Sequence, residues 1–233
     1  MPMSSATDAF VKQFEKTAHG QSYYETWVAF VATLAAFIAA ASMNPSKWLV
    51  EKGESAMKSI IATYDEMNEL HEATIEAFEA APFQDLLGDA YMRLGIGSKE
   101  NGQFFTPYHL SKLMADMSLT REEIERGIEE HGYVTLNDPA AGGGANLITA
   151  ANVLRSYGVN YQQKALFIAQ ELSEMTALAC YVQMSLLGMP GIIMIGDTLR
   201  MDYRFELWTP TLALDETWLY RMMARRVFGC SRT

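Results

Sequence analysis

Residues 133–144 read Tyr133-Val134-Thr135-Leu136-Asn137-Asp138-Pro139-Ala140-Ala141-Gly142-Gly143-Gly144. A short β-prone run, Tyr133–Asn137, passes through a glycine-rich turn into a helical pattern over Ala145–Ser156. Three consecutive glycines between a strand and a helix let backbone N–H groups come close to a ligand. The same order recurs downstream. A strand is predicted over Ala165–Gln170, a helix over Ser173–Leu187 and a strand over Gly191–Ile195, closing on Gly196-Asp197. A β-α-β-α-β order predicts a parallel sheet with right-handed crossovers, and ligands of such sheets bind beyond the carboxyl ends of the strands.

Each predicted strand end carries polar groups. Asp138 precedes the glycine turn. The turn is not a phosphate loop, because no Gly-Lys-Ser/Thr comes after it, and Leu147 stands where a nicotinamide fingerprint has its third glycine. A carboxylate beside two phosphates is repelled, so Asp138 suits a ligand with an ammonium group better than a pyrophosphate. Glu171 ends the second strand. It reads either as a paired acceptor for two ribose hydroxyls or as a carboxylate favoured near a helix start. Asp197 ends the third, as an acceptor for an exocyclic amine or as a cap for the next helix.

Upstream the chain is helical. Trp27–Met43 has no charge, and Trp27, Phe30, Val31, Leu34, Phe37 and Ile38 recur at helical spacing with alanines between them. That predicts a core helix with a large and a small face rather than a membrane span, which needs about 20 predominantly apolar residues. Asn44-Pro45 should stop it. Residues 1–97 read as a helical domain without obvious chemistry, and residues 98–233 as a second domain. Pro107 suits the first position of a helix over Tyr108–Ser118. The tail Asp215–Arg226 reads as a helix with Trp218, Leu219 and Met222 on one face. Its arginines, Arg221, Arg225 and Arg226, together with Arg232, suit either a helix end or a DNA contact.

Composition sets the outer bounds. The 233 residues are 49% hydrophobic and 20% charged, which excludes collagen, disordered tails and disulfide scaffolds. A net charge of −10 repels DNA and anionic membranes unless basic groups gather locally. Two cysteines, Cys180 and Cys230, fit a reducing compartment, and Met1–Gly20 is too polar for a secretory signal, so a cytoplasmic protein is expected. Four scattered histidines show no metal-ligand spacing.

Four stretches taken together carry a family likeness: Asn101–Pro107 (NGQFFTP), Asp138–Gly144 (DPAAGGG), Gln170-Glu171 and Gly196–Leu199 (GDTL). In this order the chain resembles the N6-adenine DNA methyltransferases, above all the modification subunits of type I restriction systems. The resemblance implies a Rossmann-like methyltransferase core, an α/β fold with a truncated parallel sheet, preceded by a helical domain. It implies S-adenosylmethionine as cofactor and DNA as substrate. Carried over, Gln103, Phe104, Phe105, Thr106 and Pro107 would lie against the methionine portion, with one of the two phenylalanines given to the core. Asp138 would face the ammonium. Ala140, Gly142 and Gly144 would let the backbone pass under methionine and ribose. Glu171 would hold the ribose and Asp197 the adenine amine.

One departure bears on activity. Active members carry Asn/Asp-Pro-Pro-aromatic at the end of the fourth strand, where its acceptors take the target amine and its ring stacks on the flipped base. The corresponding stretch here is Phe205–Thr211 (FELWTPT), and no Asn-Pro-Pro-aromatic occurs in the chain. No catalytic residue is therefore assigned. The short stretch after Pro210 is read in two ways: the resemblance is to a stand-alone short branch of the family, or a partner chain or second copy completes the sheet. Methyl transfer to adenine in DNA, if the site is completed, competes with a catalytically inactive binding or regulatory role in a restriction-modification or mobile-element system.

Overall fold

The alternation along Ala165–Glu171 explains the architecture. In the computed structural model, which describes residues 3–42, 46–96, 106 and 108–228, Ala165, Phe167 and Ala169 join the main buried cluster, while Leu166 and Ile168 face the opposite way into a smaller one. A strand buried on both faces needs a helical layer on each.

Five helices come first: α1 (Met3–Thr17), α2 (Tyr23–Ala40), α3 (Lys47–Met57), α4 (Tyr64–Ala80) and α5 (Leu86–Arg93). Two more, α6 (Tyr108–Ser118) and α7 (Arg121–His131), lead into β1 (Val134–Asp138) and α8 (Ala145–Ser156). A single turn, α9 (Tyr161–Lys164), precedes β2 (Ala165–Glu171), and α10 (Glu174–Leu186) leads to β3 (Gly191–Asp197). The described chain ends with β4 (Asp202–Trp208), α11 (Pro210–Leu214) and α12 (Glu216–Phe228).

The sheet order is β1-β2-β3-β4, with β1, β2 and β3 parallel. The expected β-α-β-α-β unit is thus present. A wholly parallel sheet is not, because β4 runs antiparallel to β3. Between Asp197 and Asp202 only residues 198–201 intervene, and a parallel return needs a crossover of about a dozen residues. A hairpin is the one connection that fits.

This direction corrects the place of residues 205–211. Asp202 pairs with Asp197 and Trp208 with Ile192, so Thr209 lies at the amino end of β3, across the sheet from the acidic strand tips. Its role there is structural. Fully buried, its Oγ1 accepts from Gly191 N (2.9 Å) and donates to Met189 O (2.7 Å).

The helical N-terminal part surrounds Trp27 and Phe30 of α2. Trp27 packs against Phe10, Phe14 and Tyr91 with ring centroids 5.3–6.3 Å apart. The uncharged run is therefore largely a core helix, long and apolar enough to pass as a span by composition, yet half buried inside the fold. Phe37, expected on the buried face, is 68% exposed. The Asn44-Pro45 stop lies outside the described residues, and α2 already ends at Ala40. Across the sheet, Trp218 and Met222 of α12 cover Leu166. Arg221, midway along α12, donates to Gln163 O (2.6 Å) and lies over the Tyr133 and Trp218 rings, so it serves packing between elements rather than the end of its own helix.

Replacing Thr209 by Val leaves Gly191 N–H and Met189 C=O without their buried partner. The variant is expected to lose about 1–3 kcal/mol in urea unfolding, with no change in ligand affinity at the far end of the sheet. A second expectation concerns His71 in α4. Its Nε2 is 3.0 Å from Thr33 Oγ1, and burial lowers its pKa from 6.5 to about 4. A histidine depressed in the folded state stabilises fully above its unfolded pKa, and that contribution is lost as pH falls through the folded one. The protein should lose stability between pH 6.5 and about 4, by about 3 kcal/mol from this group. His71→Gln should remove that limb of a stability–pH profile measured by denaturant midpoints.

Candidate functional site

Register places Asp138, Glu171 and Asp197 at the carboxyl ends of three adjacent parallel strands, with Asp138 opposite Ala169 and Glu171 opposite Ile195. The sequence reading of three strand tips on one edge is therefore realised.

The first tip is the best organised. Asp138, nearly buried, accepts from Ala140 N through Oδ1 (3.0 Å) and from Asn146 Nδ2 through Oδ2 (3.0 Å). The carboxylate thus sets the start of the turn and the first turn of α8 together. The turn is then tied sideways to β2. Ala141 N donates to Gln170 O (3.0 Å) and Gly142 N to Glu171 Oε2 (3.0 Å). Glu171 Oε1 accepts from Ser173 N (2.9 Å), which also fixes the entry to α10. The helix-start reading of Glu171 is met by the Ser173 contact. It caps the local backbone, and each oxygen keeps a further lone pair for a hydroxyl.

Gly144 closes the turn at φ +99°, and a Cβ there would lie 3.0 Å from Cys180 Sγ. Only glycine combines that backbone with such close approach to α10. Burial, reinforced by the Asp138, Glu171 and Asp85 carboxylates, pushes the Cys180 thiol far above its ordinary range. It is an inert packing residue under the turn.

The third tip serves its own hairpin. Asp197 Oδ1 accepts from Leu199 N (3.0 Å) and Arg200 N (3.1 Å), forming the β3–β4 turn, while Thr198 Oγ1 donates to Pro139 O (3.0 Å). The latter bond joins the third tip to the first. The expected cap of a following helix is not found, because β3 turns straight into β4: Oδ1 serves the hairpin turn instead, and Oδ2 faces Arg200 Nε at 3.5 Å.

Of the N-terminal motif, Thr106 is described and half-buried, whereas Gln103, Phe104, Phe105 and Pro107 lie outside the described residues. Ala140 is exposed beside the turn. Between α6, β1 and α8 lies a cavity of about 270 Å³, lined by Ser111, Met114, Leu136, Asp138, Asn146 and Ala150 among others. Ser111 Oγ and Asn146 Oδ1 are buried on its wall without a hydrogen-bond partner among the described residues. Among the described residues no group of three His, Cys, Asp or Glu side chains is placed to hold a metal ion.

Sequence reasoning missed the support beneath the turn. Gln183 of α10 donates to Gly143 O (2.8 Å) and to Asp85 Oδ1 (2.7 Å). Burial raises the pKa of the Asp85 carboxyl, opposed by the hydrogen bonds from Gln183 and Gly88 N. The available signals were Asp85 preceding Leu86-Leu87-Gly88 as a helix N-cap, and one amide in the apolar run of α10.

Similarity to known proteins falls on the same segment of chain. A model of the family described as N-6 DNA Methylase matches residues 83–211, from just before the Asp85 cap to the start of α11. Among solved structures, the chain is similar to the methyltransferase subunit of a type I restriction-modification system from Streptococcus thermophilus, at 17% identity over 88% of this chain and 60% of that one, with a TM-score of 0.46. It is also similar to a protein from Listeria monocytogenes described as a class I S-adenosylmethionine-dependent methyltransferase, at 16% identity over 84% of this chain and 55% of that one, with a TM-score of 0.44. The chain thus spans less than two thirds of either structure. The family match covers more than half of the sequence and includes the glycine turn and all three acidic tips, and the protein belongs to the N-6 DNA methylase family.

Proposed function

We propose that this chain binds S-adenosylmethionine at the carboxyl edge of β1–β3 and serves methyl transfer to the N6 amine of adenine in DNA. The observation that carries the reading is the linked geometry of the edge: Gly142 N bonded to Glu171 Oε2, and Thr198 Oγ1 bonded to Pro139 O. These bonds bring the glycine turn and the three acids into one continuous rim. Asp138 would attract the cofactor's ammonium, Glu171 would accept from its ribose, and Asp197 would accept from its adenine amine through Oδ2, which Arg200 also faces. Thr106 and its neighbours in the Gln103–Pro107 motif would flank the methionine portion. The bound cofactor supplies an electrophilic methyl group.

Transfer also needs acceptors for the target amine, whose lone pair is delocalised into the ring. Thr209 and the Trp208 carbonyl cannot serve, because β4 carries them to the opposite end of the sheet. That observation favours a second reading, cofactor binding without transfer in a restriction-modification or mobile-element setting. The enzyme reading is recovered by a partner chain or a second copy. Among the described residues β1 has no neighbour on its outer side, so a strand added there would extend the sheet beside Asp138. We further propose that residues 1–97 form a helical domain and residues 98–233 the cofactor-binding one, and that the protein is cytoplasmic, in keeping with the buried free thiol of Cys180.

Calorimetric titration with S-adenosylmethionine and transfer of a radiolabelled methyl group to mixed-sequence DNA separate the readings. Binding with incorporation into adenine supports the enzyme. Binding without incorporation supports the second reading, and no binding removes both. Glu171→Ala should weaken binding by about 1.5–3 kcal/mol for each charge-assisted bond lost to the ribose. Unchanged affinity in that variant would take Glu171 out of the site.

A further inference from the structure

The support beneath the glycine turn is a chain of buried polar contacts that reaches back into the N-terminal helices. Gln183 is fully buried. One of its Nε2 hydrogens goes to Asp85 Oδ1 and the other to Gly143 O, while Oε1 accepts from Leu87 N (3.1 Å). Its rotamer and amide orientation are therefore determined at both ends. Asp85 is 3% exposed, and the same Oδ1 accepts from Gly88 N (3.0 Å). A Cβ on residue 88 would lie 2.1 Å from Asp85 Oδ2, so Gly88 leaves the space in which the carboxyl sits.

The far end of this chain acts on one peptide plane. Gly143 C=O accepts from Gln183, and the N–H of the same peptide, on Gly144, donates to Ala141 O (2.8 Å). In a trans peptide these two groups point in opposite directions, so bonds at both ends fix the rotation of the plane. That rotation accompanies the left-handed backbone of Gly144, where the turn hands over to α8.

Packing alone does not account for the arrangement. Burying an amide and a carboxyl costs free energy that an apolar side chain of similar size would avoid. The hydrogen bonds instead impose one orientation on one carbonyl. We propose that Gln183, held by Asp85, is a positioning residue for the cofactor turn: it fixes the Gly143–Gly144 peptide plane and with it the backbone surface offered to the ligand. The proposal rests on the reading of that turn as the S-adenosylmethionine site. It also gives the helical part of the chain a direct influence on that site, because Asp85 and Leu87 lie at the start of α5.

The test uses the full chain and two readouts: hydrogen exchange of the Gly144 amide without ligand, and calorimetric affinity for S-adenosylmethionine. Gln183→Met keeps length and volume and removes the bond. It should speed Gly144 exchange by about tenfold and weaken the cofactor by about fivefold or more. Asp85→Asn retains an oxygen that accepts from Gln183 and should leave both readouts within about twofold of wild type. Asp85→Ala frees Gln183 and should reproduce the Gln183→Met losses; it carries the test should Gln183→Met fail to fold. The double variant Asp85→Ala/Gln183→Met should bind no more weakly than Gln183→Met, since both act through one bond. Losses that add, or a Gln183→Met protein with wild-type affinity, overturn the proposal, including when its exchange alone is faster. If the wild-type chain binds no S-adenosylmethionine, the cofactor reading fails, and Gly144 exchange still decides whether Gln183 holds the turn.

Discussion

The site depends on the tip of β2. There Gln170 C=O and the Glu171 carboxylate receive the N–H groups of Ala141 and Gly142, so the loop leaving β1 is fastened to the neighbouring strand. A loop of small residues has little side-chain surface to bury, and an unfastened one would sample many backbone states. Two hydrogen bonds to a central strand, itself buried on both faces, remove that freedom. Thr198 adds a bond from the third tip, and Asn146 one from α8 to Asp138. The rim is rigid because each of its segments is bonded to another, and the central strand is the common anchor.

Much of this is legible in the sequence. Local patterns give three strands and two crossover helices because each has its own signal: β-branched and apolar runs, glycine punctuation, and caps such as Ser173 ahead of α10. Parallel order then comes from chirality and connection length, and the strand tips come from the order. Asp138, Glu171 and Asp197 can be placed on one edge from these rules alone. How many of their lone pairs the protein itself occupies is a matter of tertiary geometry and has no local signal. Asp197 illustrates this: both its ligand and its capping reading are open in the sequence, and the short hairpin behind it decides that Oδ1 serves the backbone.

The direction of β4 has a local signal, and likeness to a family pattern points against it. The family pattern suggests a fourth parallel strand, whereas four intervening residues permit only a reversal. Connection length is the stronger constraint, since it rests on chain geometry rather than on similarity. The Asp85–Gln183 contact lies beyond sequence reasoning for another reason. The two residues are 98 positions apart, and neither carries a pattern that points to the other. Only the packing of α5 against α10 brings them together.

These features divide the sheet by task. At the amino end of β3, Thr209 satisfies Gly191 and Met189 and closes the fold with side-chain bonds that face no ligand. At the carboxyl end, backbone and carboxylates are arranged around an open rim, and a buried carboxyl is tolerated to hold a single carbonyl. A purely structural domain would gain by replacing Asp85 and Gln183 with apolar residues, because partnered polar groups in a core rarely outweigh good packing. Their presence under the glycine turn points to the carboxyl edge as the place where backbone orientation matters more than stability. The outer side of β1 borders that same edge. Any strand added there would run beside Asp138, which gives a completing chain a direct route to the rim.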